Sequence, residues 1–227
     1  MKNTVFKYLQ KNYFKEVVDM RGFIENIGLM FKYMGLTIIN PLKSFKQLKE
    51  EPRQVTIALF IFFFMFITYA GVVIIGGIFT RVQGYFPMII NVLPNNYYLY
   101  ITIIMPFIII LNFVVYTVVE IGALAAKKPA DFKYNFSIVT VALTIPWWAG
   151  FVCDITIVTG AIIQQFHTFP YWALTVISFA YGIMALATLI LTPVSIYVAK
   201  GMSVRDSIIT SLIGLILFWG IISLLVL

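Results

Sequence analysis

The chain is poor in charge, cysteine and histidine, and each shortage removes a class of function. Asp, Glu, Lys and Arg supply only 11% of its 227 residues, against roughly a quarter in soluble domains, which need a polar surface. A water-soluble domain is thereby excluded. A single cysteine, Cys153, rules out an internal disulfide. A single histidine, His167, leaves too few ligands for zinc, which takes three or four. No His-x-x-x-His pair, Gly-x-Ser-x-Gly elbow or phosphate-cradling glycine loop occurs, so intramembrane protease, hydrolase and nucleotidase chemistry all lose their signatures. The expectation is a protein that is not an enzyme and uses no cofactor or metal. A cleavable signal peptide is not visible either, because the first 20 residues alternate lysines with isolated apolar residues.

What is there is mostly hydrocarbon. Hydrophobic residues make up 61% of the chain and the mean hydropathy is +0.96, the range of polytopic membrane proteins. The net charge of +7 points to anionic lipid headgroups and not to nucleic acid, since most Lys and Arg flank hydrophobic runs.

The pattern predicts an all-α bundle in two parts. Residues 1–54 form basic amphipathic helices at the membrane interface, and residues 55–227 a five-span domain with spans at about 55–79, 97–121, 136–160, 171–199 and 207–227. Ten Lys and Arg precede the first span, three lie in the loop after the second and two in the link after the fourth. The loops after the first and third spans hold one, Arg81, and none. Fifteen against one places the N-terminus in the cytoplasm and the C-terminus outside.

The front end is periodic. Val5, Leu9, Tyr13 and Val17 follow at four-residue steps. Met20, Phe23, Ile27, Met30, Phe31 and Met34 then form a second stripe opposite Glu25 and Lys32. Next, Asn40-Pro41 reads as a helix start and Pro52 as its end. Leu42, Phe45 and Leu48 share one face of that helix, and Lys43, Lys46, Gln47 and Glu50 the other. Lys49 falls in the apolar arc, where its stem is expected to lie along lipid. Pro41, Phe45, Lys46, Lys49, Pro52 and Arg53 are the candidate interfacial or partner-binding residues.

Within the spans, Glu120, Asp154 and Asn112 are the candidate polar sites, because polar groups in lipid are costly. Glu120, at the inner end of the second span, is expected to pair a loop lysine or cap a neighbouring helix. Asp154, in the outer part of the third, is expected to meet Arg81 or the Gln164-Gln165 pair. The functional alternative for either is an ion or solute contact. Pro106, Pro146 and Pro193 are expected to kink their helices. Trp147-Trp148 in mid-span suits packing or a ligand-facing wall. Two small-residue pairs, Gly122 with Ala126 and Ser178 with Gly182, allow close helix approach.

Asn40-Pro41, Phe45 and Glu51-Pro52 ahead of five spans, with a basic N-terminal segment inside, resemble the Yip-domain family of Ypt/Rab-interacting membrane proteins, in its short prokaryotic branch. The resemblance covers roughly residues 36–227 and implies a five-span fold and topology, with no catalytic residues to transfer. Eukaryotic members bind prenylated Rab GTPases in vesicle traffic; this chain lacks their long polar front end, which favours a prokaryotic plasma membrane. The function expected is a scaffold or accessory subunit of a membrane complex, with a small transporter or transporter subunit as the alternative. The expected partners are the anionic bilayer and either a membrane protein or further copies of the chain.

Overall fold

The computed structural model describes residues 20–79, 97–129, 131–164 and 170–226, and every regular element among them is helical. α1 spans Met20–Ile39, α2 Pro41–Glu50, α3 Gln54–Phe79 and α4 Tyr97–Ala125. α5 (Phe132–Tyr134), a π-helical segment (Asn135–Val139) and α6 (Thr140–Thr144) run on without a loop, and after a turn at Ile145–Pro146 the chain continues as α7 (Trp147–Gln164). α8 (Tyr171–Lys200) and α9 (Val204–Val226) complete the bundle. Three stretches are long and apolar enough to cross a membrane: Phe132–Cys153, Tyr171–Lys200 and Val204–Ile221. α3 and α4 contribute the shorter apolar helices Gln54–Thr68 and Leu111–Ala125.

The short helix forms as its ends dictate. Asn40 accepts from the Lys43 amide at 3.1 Å, Pro41 stands in the first turn, and the chain turns out at Pro52. Its buried face is Ser44, Phe45 and Leu48, whereas Leu42 is exposed. The Ser44 and Thr37 hydroxyls meet at 2.7 Å and tie α2 back on α1. α1 has a wider apolar face than one neighbour can cover. Met30, Tyr33 and Met34 enter the core, while Phe23 and Phe31 stay half exposed with their rings 5.5 Å from those of Phe60 and Phe64 on α3. Residues 1–19, with the first predicted amphipathic stripe, lie outside the described residues.

The segment from Asn135 to Pro146 is buried on nearly every side and forms the axis of the bundle. Ile138, Val141, Ala142 and Ile145 join one core with α1, α2, α3 and α8. Val139 and Leu143 join the other, with α4 and α9. The tryptophans divide in the same way, Trp147 packing on the second core and Trp148 on the first. α3 packs on α7, α7 on α8, α8 on α9 and α9 on α4, with α1 and α2 across one end.

Three details differ from the sequence expectation. α4 runs to Ala125, where the Lys128 amide donates to Ala123 O and the Lys127 amide to Leu124 O in a Schellman closure. The next helix starts at Phe132, because Asp131 accepts from the Lys133 amide and caps it. Pro146 breaks its helix into two elements, whereas Pro193 sits inside a continuous α8. Of the two small-residue pairs, Gly122 meets α9: a Cβ there would stand 2.5 Å from Thr210 Oγ1. Ser178 and Gly182 are exposed and bring no helix close among the described residues.

Candidate functional site

The starts of α3, α5 and α9 and the ends of α4 and α8 lie at the face next to α2, and polar side chains from α2, α3, α4, the π segment and α8 are bonded there into a seam. Its centre is Lys200, the last residue of α8, whose side chain is only 1% exposed. Gly201, left-handed at φ 60°, terminates α8 immediately after it. Lys200 Nζ donates to Glu120 Oε1 on α4 at 2.6 Å and to the Asp131 carbonyl at 2.8 Å. Asn135 approaches from the π segment, its amide donating to the same Glu120 oxygen at 2.7 Å and to the Tyr116 carbonyl at 3.2 Å. One turn on, the Tyr116 and Thr140 hydroxyls are hydrogen bonded. The wide π turn has a physical use here. It carries Asn135 towards α4 while Ser137, two residues later, lies 2.7 Å from Gln54 Oε1 at the start of α3.

The Lys49 ammonium finds its partners within the protein. It crosses to the end of α8, donates to the carbonyls of Val198 at 2.8 Å and Ala199 at 3.1 Å, and lies 4.8 Å from the Tyr134 ring centre. Those carbonyls have no partner inside the helix, and the negative end of the α8 dipole adds to the attraction. Burial pulls the Lys49 ammonium below the usual lysine range. The Gln54 amide donates to the Lys49 carbonyl at 3.3 Å, linking this contact to Ser137. On α1, Tyr33 donates to Glu51 at 3.5 Å; burial first, then the Glu51 charge and this hydrogen bond, push its phenol up to about 12.

The sequence candidates therefore fall in different places. Glu120 enters the seam, and its partner is Lys200 at the end of α8. Asn112 is buried on α4, about two turns from Glu120 and outside the seam's described contacts. Asp154 lies on α7, with its side chain outside the described residues, as are Arg81, Gln165 and His167. Pro41 and Phe45 build α2, and Pro52 lies in the turn after it. Arg53 pairs with Glu25 at 3.0 Å on the surface, an exposed bond of small energetic weight. Lys200, Asn135, Tyr116, Gln54 and Ser137 were not among the candidates. Each is an ordinary residue at a helix end or on a helix face, and the partner that ties it across helices lies 15 or more residues away.

Chemically the seam is a set of bonds with two acceptors to spare. Glu120 Oε2 and Asn135 Oδ1 are buried without a hydrogen-bond partner. Among the described residues no three His, Cys, Asp or Glu side chains come together as a metal site. Beside the seam an open cleft of about 640 Å³ is lined by residues that include Lys46, Lys49, Lys128, Tyr197 and Ser203. Deeper in the bundle, a void of about 10 Å³ between Leu143, Trp147, Met184 and Phe218 has room for about one water. No family model, no curated protein and no solved structure matches the chain.

Proposed function

We propose that the chain is a five-span membrane protein related to the Yip-domain proteins, with its N-terminus in the cytoplasm of a prokaryotic cell. In this reading it works without catalysis, as a scaffold or accessory subunit that offers its capped, basic end to a membrane complex. The observation that carries the reading is how its polar groups are used. Glu120 is bonded to Lys200 and Asn135, Tyr116 to Thr140, and Gln54 to Ser137, each bond crossing between helices at one end of the bundle. Groups used this way hold helices in register; groups lining a solute path need free donors and acceptors along its length. The segments carrying Lys43, Lys46, Lys49, Arg53, Lys127, Lys128, Lys133, Lys200 and Arg205 converge on that same end, as a positive inner face requires.

The test is mild-detergent purification of the full-length tagged protein from its own membrane, with mass spectrometry of what accompanies it. Recovery of one membrane complex, lost when the exposed Lys43 and Lys133 are both changed to Glu, supports the accessory reading. Repeated recovery of the protein alone refutes it. Deleting α1 is unsuitable, since Met30, Tyr33 and Met34 belong to the core. Topology is checked separately in a Cys153→Ser background: an impermeant thiol reagent should label His167→Cys from outside and leave Lys127→Cys untouched.

One observation favours the second reading, a small transporter or transporter subunit. A π segment with unpaired Glu120 Oε2 and Asn135 Oδ1 is a recurrent setting for ion contacts. Solute flux in proteoliposomes that is abolished by Asp154→Asn or Glu120→Gln at unchanged expression would select it over the scaffold.

A further inference from the structure

The cleft beside the seam lies where α2, the turn after α4 and the α8–α9 link meet. We propose that it is a binding site for the phosphate of an anionic phospholipid headgroup from the inner leaflet. The proposal rests on the membrane placement given above and deepens it, by assigning the anionic lipid to one set of residues.

Three lysines, Lys46, Lys49 and Lys128, face two carboxylates, Glu50 and Asp206, around the cleft. Their roles are unequal. Lys49 is fixed by the Val198 and Ala199 carbonyls and keeps one of its three N–H groups. Asp206 is engaged by its own helix: it accepts from the Ser203 hydroxyl at 2.7 Å while its amide donates back to that oxygen at 3.1 Å. Lys46 and Lys128 form no ion pair among the described residues. Two ammonium groups are therefore left for an external anion, over a third that is held in place.

Lys128 is also positioned. It is the residue after Lys127, which adopts a left-handed φ of 57° in the Schellman closure of α4. Glycine is the usual occupant of that conformation, which strains a lysine. The first turn of α9, beginning at Val204, adds the positive end of a long helix beside Ser203. The volume of about 640 Å³ lies within the range of small-molecule sites.

The surroundings select a lipid over a free phosphate. Tyr197 and Met202 form an apolar part of the wall. Val204 and Ile208, which follow the cleft residue Ser203 on the first turns of α9, are 62% and 43% exposed and give that helix, one of the three able to span, an apolar surface. A phosphodiester with acyl chains can use both the ammonium pair and this apolar surface; an inorganic anion uses only the first.

The experiment takes the purified full-length protein in phosphatidylcholine nanodiscs and measures phosphatidylglycerol retention by native mass spectrometry. Lys46→Gln with Lys128→Gln is compared with a control that removes the same charge outside the cleft, Lys32→Gln with Lys43→Gln. The cleft variant should lose phosphatidylglycerol roughly tenfold or more, because both of its lysines line the cleft, and the control, whose lysines do not, less than about twofold. Lys46→Arg with Lys128→Arg should retain the lipid, which separates loss of charge from loss of fold. Equal loss in cleft and control variants, unchanged retention in the cleft variant, or loss in the Arg variant would overturn the proposal. Displacement of the lipid by inorganic phosphate at equal concentration would reassign the cleft to a free anion and overturn the lipid assignment. The measurement uses the isolated protein, so failure of the accessory reading leaves it standing.

Discussion

Lys200 and Glu120 allow the bundle's internal bonding to be tested by a single thermodynamic cycle. The lysine side chain is 1% exposed and the carboxylate 18%, with 2.6 Å between Nζ and Oε1. A surface pair of this kind would contribute about 1 kcal/mol or less. A buried pair behaves differently, because deleting one partner leaves the other charge desolvated and uncompensated, at a cost of about 3–5 kcal/mol. Lys200→Met also strips a donor from the Asp131 carbonyl, and Glu120→Gln removes the charge facing a lysine that has almost no access to water. Each single variant should therefore be destabilised by about 3–5 kcal/mol, whereas the double variant removes both charges and should fall within about 2 kcal/mol of wild type. The coupling energy should be at least about 4 kcal/mol, well above the additivity error of distant sites. Reversible unfolding in mixed micelles of rising denaturing-detergent fraction supplies all four corners. Additive costs, or a Lys200→Met variant within about 1 kcal/mol of wild type, would refute the claim that this pair is a desolvated lock.

The close approach of α4 and α9 predicts that Gly122→Ala is destabilising by about 1–3 kcal/mol, because its Cβ would stand 2.5 Å from Thr210 Oγ1 and 3.2 Å from Thr210 Cβ. Adding Thr210→Ala should recover most of that loss in the same unfolding assay. Lys127→Gly should gain about 1 kcal/mol by relieving the left-handed φ of 57°; no gain would mean that the Lys127 side chain makes a compensating contact. Tyr33 is raised from 10.0 to about 12 on folding, so the unfolded chain loses this proton first. Its neutral phenol thus contributes stability that is complete below about pH 10 and is lost as pH rises towards about 12. Tyr33→Phe should be less stable than wild type near neutral pH by about 1 kcal/mol and should close that gap as pH rises through this window.

The helical class, the apolar helices at Tyr171–Lys200 and Val204–Val226 and the short capped helix after Asn40 were legible in the sequence, because these follow from local causes. A run of apolar residues needs no distant partner to be helical in hydrocarbon, and a cap acts within one turn. The sequence also marked Glu120 as unusual, since a carboxylate beside a membrane segment stands out by composition alone. What the tertiary structure decided are the pairings: Lys200 with Glu120, Lys49 with the end of α8, Asn135 with α4, and Gln54 with Ser137. Lys49 is the instructive case. Helical periodicity placed it in an apolar arc, but the arc faced the end of α8, whose unpaired carbonyls attract an ammonium more strongly than lipid can accommodate one. Gly122 packed against a neighbour and Gly182 did not, although both sit in the same small-residue spacing. Spacing along a helix sets which residues share a face, but the neighbour that face meets is set by how all the helices pack, a property of the whole chain.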